Sequence, residues 1–234
     1  MLTMRDHDVA DYAVLRDMDA TDVGDLDDDD RACLEELGQY LVSTDAYERF
    51  AIWLLHKHFE PAPGEVFVES VDADARRTRT SPAGRVERSA DRLQPTSVRF
   101  DPSAGSGVGV IGMEFASSAD FGTAAPISSE DEAVLAGIAD RLRTHDKSDR
   151  FGVRLIRDAI AVSDGELLME SCDEANRALI CDVRQRDDNR SPKSIETTWQ
   201  WKPVDGETGR AVIQKCLVEC EVWTDGEHTY TGCR

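Results

Sequence analysis

The sequence predicts an α+β fold written twice: a helix followed by a mostly antiparallel β-sheet, repeated at an offset of 101 residues, the two copies forming a pseudo-twofold pseudo-dimer. Three observations carry this. Residue n set against n+101 without a gap keeps one register, so that Leu34 meets Leu135, Arg49-Phe50 meets Arg150-Phe151, Gly64-Glu65 meets Gly165-Glu166 and Glu69-Ser70 meets Glu170-Ser171. Of the 73 positions from 30 to 102, 17 are identical to their partners, where unrelated chains of average composition would share about four or five. Each copy opens on apolar residues at helical spacing, and each continues in runs that alternate apolar and polar.

The elements follow in chain order. Residues 1–27 form an acidic N-terminal arm, with eleven aspartates in the first thirty positions against Arg5 and Arg16, and its composition predicts a mobile or loosely docked segment. The first module spans 28–118 and the second 128–234. Leu34, Leu37 and Leu41 recur at helical spacing behind the aspartate run, which supplies an N-cap and negative charge for the helix dipole. In the second copy Ser129 with Glu132 three residues on reads as a capping box. The following segment, "RFAIWLLHKHF", fits a helix or a buried strand, and its partner "RFGVRLIRDAI" decides for a strand, because Arg154 and Arg157 break the apolar run at a period of two. Each then passes a loop ending in Gly-Glu into another alternating run, "EVFVESV" and "ELLMESC", the pattern of a β-hairpin. With "PAPG" as the turn, Glu60 pairs with Glu65, His56 faces Glu69, and Arg157 faces Glu170. "TSVRF" with "GVGVIGMEFA", and "IETTWQWKP" with "RAVIQKCLVECEVW", add further strands, and residues 81–95 read as a polar loop.

Composition bounds the function. The chain has 234 residues, 40% hydrophobic and 32% charged, and no apolar run long enough to span a bilayer. A formal charge of −20 repels polyanions, so neither nucleic acid nor an anionic membrane is an expected partner. The N-terminus lacks a basic start followed by an apolar core, and the expected location is cytoplasmic.

The residues that invite chemistry are few. His56 and His58 extend the row Phe50, Ile52, Leu54 on one strand face, while the second copy holds Arg157 and Ala159 at those places, so the fold itself does not require imidazoles there. Two histidines with Glu69 or Glu65 in reach resemble the two-histidine-plus-carboxylate set that holds iron, manganese or zinc with open positions. The bland reading is a cross-strand ion pair of His56 with Glu69, mirrored by Arg157 with Glu170. Trp199 and Trp201 share one face and suit core packing or a ligand-stacking wall. His228 completes a site with His56 and His58 if the modules pack face to face. Cys216 and Cys220 fit small buried thiols. His-x-His near Gly-Glu also occurs in cupins, but neither the next glutamates nor a second motif follow at the cupin intervals, and no family is assigned.

Two functions fit. One is a pseudo-dimeric binding or assembly protein with a small-molecule cavity between the modules, its ligand contacts drawn from Trp199, Trp201, His228 and Glu65. The other is a metal-dependent enzyme acting on a small molecule through His56, His58 and Glu69. Oligomeric state is not encoded in any of these features. Six cysteines at 33, 172, 181, 216, 220 and 233 are too sparse for a disulfide scaffold. Thiol titration of the denatured protein without reductant is therefore expected to find close to six free thiols, and two or fewer would overturn the reading.

Overall fold

A computed structural model of the chain describes residues 1–17, 26–84, 93–104, 107–185, 194–203, 211–221, 223–225 and 228–230. The first segment gives strand β1 (Leu2–Asp6), helix α1 (Val9–Ala13) and strand β2 (Arg16–Asp17). Helix α2 (Asp28–Ser43) leads to β3 (Phe50–Leu54), β4 (His56–Lys57), β5 (Val66–Asp72), β6 (Arg77–Ala83), β7 (Gln94–Phe100) and β8 (Val108–Ala116). Helix α3 (Glu132–Thr144) leads to β9 (Phe151–Leu155), β10 (Glu166–Asp173), β11 (Ala178–Gln185), β12 (Ser194–Pro203), β13 (Ala211–Glu221), β14 (Trp223–Asp225) and β15 (His228–Tyr230). The fold is α+β and the sheet mostly antiparallel, as expected, with three parallel ladders among the described strands of the main sheet, β1–β8, β5–β8 and β10–β13. Among the described residues no helix is long and apolar enough to cross a membrane.

The strands run in the order β1-β8-β5-β6-β11-β10-β13-β12-β3-β9-β7, and a β7–β8 pairing closes ten of them into a ring. The expected hairpin of β3 with β5 does not form. Both edges of β3 are occupied, by β9 and by β12, so no ladder remains for β5, which instead pairs with β6 and β8. Phe50 lies opposite Leu155, Ile52 opposite Val153 and Leu54 opposite Phe151. Shifting the members of these pairs by 101 in opposite senses exchanges Phe50–Leu155 with Leu54–Phe151 and returns Ile52–Val153 to itself. The β6–β11 ladder has the same property, with Thr78 opposite Cys181 and Thr80 opposite Leu179.

Helices α2 and α3 pack on one face of β3, β7, β9 and β12. Leu34, Leu37, Leu41, Leu135, Ile138 and Leu142 meet Phe50, Ile52, Val153, Trp199 and Trp201 in one core. Trp199 and Trp201 are fully buried there, which is the packing role; they form no wall for a ligand. Trp201 lies close enough to α2 that a Cβ on Gly38 would stand 2.3 Å from its Nε1, which explains a glycine inside a helix despite its entropic cost. The opposite face of the ring carries Tyr12, Leu15, Trp53, Leu55, Phe67, Ile111 and Met113.

Local structure departs from expectation at three places. The second capping box is Ser128 with Asp131, one residue earlier than Ser129 with Glu132, and it opens a short 3-10 turn before α3; the first is Asp27 with Asp30. Residues 1–17 are docked rather than loose: β1 adds to β8, and Arg5 bridges Asp11 and Asp101. Leu55 still follows the β3–β9 register, its N–H donating to Arg150 O, and it lies with Trp53 on the other face; the alternation ends after it, where His56 pairs with Arg16 and sits beside Trp53 instead of in the row of Phe50, Ile52 and Leu54.

Acid–base pairs link the two halves of the sequence. Arg49 binds Asp131 and Arg150 binds Asp30; Arg76 binds Glu166 and Arg177 binds Glu65. Glu65, a sequence candidate for ligand contact, is thus a structural anchor. Positive φ recurs in the same pattern, at Asp45 and Asp146, Arg76 and Arg177, and Gly64 and Gly165.

Two outcomes follow. Gly38→Ala overpacks the α2–Trp201 contact and should cost about 1–3 kcal/mol in denaturant unfolding. Arg76 holds the Glu166 carboxyl down to about 2, against its ordinary 4.5. Because the folded value is depressed, this contribution is full above 4.5 and is lost as pH falls toward 2. Arg76→Ala should lower the urea midpoint at pH 7 and flatten its decline over that acid window.

Candidate metal centre

The chain beyond β3 turns back on the ring, and β4 pairs in parallel with β2. This places His56 beside Trp53, with ring centroids 6.0 Å apart, and brings His58 against it. The two imidazoles meet edge to face, Nε2 to Nε2, at 2.8 Å. His56 Nδ1 lies 2.7 Å from Leu54 O, so Nδ1 carries the proton and the Nε2 lone pair points at His58. His58 Nδ1 lies 3.4 Å from Cys172 Sγ.

The carboxylate that faces these rings is Glu170 of β10. Its Oε2 is 3.8 Å from His56 Nε2 and 3.9 Å from His58 Nε2. The ligand atoms of these three residues all lie within 4.8 Å of one another, close enough to hold one metal ion between them. A circle through three points with these separations has a radius of about 2.1 Å, the bond length of Zn–N and Zn–O. Two neutral imidazoles and one carboxylate make a donor set able to hold a divalent ion such as zinc, iron or manganese. Without an ion, the geometry suits a relay in which Cys172 S–H donates to His58 Nδ1, His58 Nε2–H to His56 Nε2, and His56 Nδ1–H to Leu54 O. Ion binding would require His58 to carry its proton on Nδ1, toward Cys172, the outer contact that orients a ligating ring.

Glu69, the carboxylate expected from sequence, is engaged elsewhere. It binds Arg157 through a short ion pair, and Arg154 Nη2 at 3.5 Å. The swap has one cause: β5 and β10 lie away from the strands that precede them in sequence, so His56 meets Glu170 and Arg157 meets Glu69. The side chains of Cys216, Cys220 and His228, and all of Cys233, lie outside the described residues.

Electrostatics keep both rings uncharged. Burial lowers His56 to about 4 and His58 well below its ordinary value, with Arg154 adding to both, so both rings are neutral ligands at pH 7. Burial raises Glu170 to about 7, Arg154 opposing and Glu114 reinforcing. Arg154 itself sits among Glu69, Glu114 and Glu170; burial works against its charge, and those three carboxylates outweigh it. Beside the histidines is a space of about 20 Å³ walled by Tyr12, Trp53, Phe59 and Phe67, room for about one water.

Comparisons with family models, with curated proteins and with solved structures give no match for this chain.

Sequence reasoning missed Glu170, Arg154, Cys172 and Tyr12. Signals existed for two of them: Glu170 aligns with Glu69 at the 101-residue offset, and Arg154 is a lone charge in an otherwise apolar strand, a residue type that is buried only with partners.

Proposed function

We propose that the protein is metal-dependent and acts on a small molecule through an ion held by His56, His58 and Glu170. The observation that carries this is the mutual proximity of two imidazole Nε2 atoms and one carboxylate oxygen, in a site whose burial keeps both rings unprotonated. Three protein ligands leave coordination positions for water or substrate, and the adjoining space admits a water-sized species. An ion there would act as a Lewis acid and lower the pKa of that water; Tyr12, Trp53, Phe59 and Phe67 would exclude bulk solvent.

The scaffold reading belongs with this. The ladders that map onto themselves under a 101-residue exchange, the reciprocal ion pairs and the repeated positive-φ positions support a tandem duplication. Its modules are 28–118 and 128–234, preceded by the acidic segment 1–27, and together they make a pseudo-dimer. On that reading the metal site is an asymmetric specialisation: the equivalent place in the other half carries Arg157, Ala159 and Glu69.

Elemental analysis tests the centre. Protein dialysed against zinc, manganese or iron(II) and then freed of loose ions should retain one equivalent, and cobalt(II) should give a ligand-field spectrum. His58→Ala should lose the ion with folding intact, since Ala159 already fills the equivalent place. His56→Arg should also lose it while keeping the melting temperature, because Arg opposite Glu170 repeats the Arg157–Glu69 pair and protonated arginine offers no lone pair. One retained equivalent in His56→Arg would overturn the assignment.

A further inference from the structure

Within the ring, on the side away from the histidines, lies a cavity of about 540 Å³, a size typical of small-molecule sites. Its wall matches the histidine pocket position by position at the 101-residue offset. Where that pocket has Trp53, His56, His58, Phe59 and Phe67, this one has Arg154, Arg157, Ala159, Ile160 and Leu168. Tyr12 of the N-terminal segment helps to fill the first pocket, and its side chain does not reach the second. The same framework is therefore plugged by aromatic rings on one side and open on the other.

The wall defines what fits. Ala159, Ile160, Val162, Leu168 and Val218 provide an apolar surface. At the base, the two arginines carry no spare charge. Arg157 binds Glu69 and lies 3.3 and 3.5 Å from Asp120 O and Phe121 O. Arg154 is shared by Glu69 and Glu114, each 3.5 Å from Nη2. In the wall Arg154, Arg157 and Lys202 stand against Glu69, Asp158 and Asp164, and the Glu114 and Glu170 carboxylates near Arg154 are committed to it, so no charge of either sign is left over to offset the desolvation of an ion. Hydrogen-bonding demand nevertheless remains. Thr198, fully buried in the wall, has no partner for Oγ1, and Arg154 has none for Nη1, Glu170 Oε1 at 3.6 Å being beyond hydrogen-bond reach. A buried polar group left unpaired is costly.

The geometry points to a second binding site in this cavity, for an uncharged small molecule with an apolar body and a carbonyl or amide oxygen that accepts from Arg154 or Thr198. The site stands apart from the metal centre, whose Glu170 it touches through Arg154 and Cys181.

Three matched probes test this: 4-phenylbutanamide, 4-phenylbutyrate and 4-phenylbutylammonium, titrated by calorimetry into the full chain, with metal content measured on the same samples. The amide should bind and raise the melting temperature, and the two charged probes should bind roughly tenfold more weakly or worse, each having to shed hydration without a partner. The double variant Ile160→Phe/Leu168→Phe introduces the rings that Phe59 and Phe67 already provide in the equivalent pocket. It should fold, retain the ion and lose the amide by roughly tenfold or more. Absence of amide binding, equal binding of all three probes, preference for a charged one, or wild-type affinity in the double variant would overturn the inference. Amide binding by protein that holds no ion would uphold the cavity while refuting the metal centre.

Discussion

The antiparallel pairing of β3 with β9 is the constraint on which the rest of the structure depends. It joins two strands whose residues are 101 apart in number, and with β12 on its other edge it leaves β3 no ladder for the segment that follows it. Every strand of the first half must then complete its bonding elsewhere, and the ring closes only because β6 meets β11 on the far side. The ion pairs obey the same rule. Arg49, Arg76 and Arg157 find their acids at Asp131, Glu166 and Glu69, and the reciprocal partners Arg150, Arg177 and His56 face Asp30, Glu65 and Glu170. The metal ligands are one instance of this exchange, a histidine pair from one half against a carboxylate from the other.

A ring lined by charges opposes its own folding. Arg154 and three glutamates are withdrawn from water together, and removing a single member would strand the others; breaking such a buried pair typically costs about 3–5 kcal/mol. The apolar face compensates. Two helices cover β3, β7, β9 and β12 with leucine, isoleucine, phenylalanine and tryptophan, so stability is concentrated on one side of the sheet and polar chemistry on the other. This separation lets Glu170 remain buried with a raised pKa beside neutral imidazoles.

Much of this was legible in the sequence, and what was not has a physical cause. The helices and the strand character of 50–54 and 151–155 follow from local periodicity, and the match of residue n with n+101 from direct comparison of the chain with itself. The His56–His58 pair stood out because its counterparts, Arg157 and Ala159, differ so sharply in type. Glu170 did not, because periodicity is blind to pairing: the same alternation suits a hairpin of 50–60 with 65–72 and a ladder between strands a hundred residues apart. Only the bonding capacity of β3, with two edges and three candidate partners, separates the two. The shift of His56 out of the row of Phe50, Ile52 and Leu54 goes with its pairing to Arg16 of β2, a contact with a segment forty residues away that leaves no mark in the pattern of side chains.

The β3–β9 pairing also bears on how the chain is made. During synthesis β3 emerges about a hundred residues before its partner, and until Leu155 has cleared the ribosome an apolar strand of five buried residues has no ladder on either edge. Non-local pairing of this kind slows folding, since the entropy of closing the chain is lost before any contact offsets it. The interval is a period of exposure to self-association. Eleven aspartates among residues 1–30, synthesised ahead of β3, confer, during that wait, a mutual repulsion between neighbouring copies on the same message.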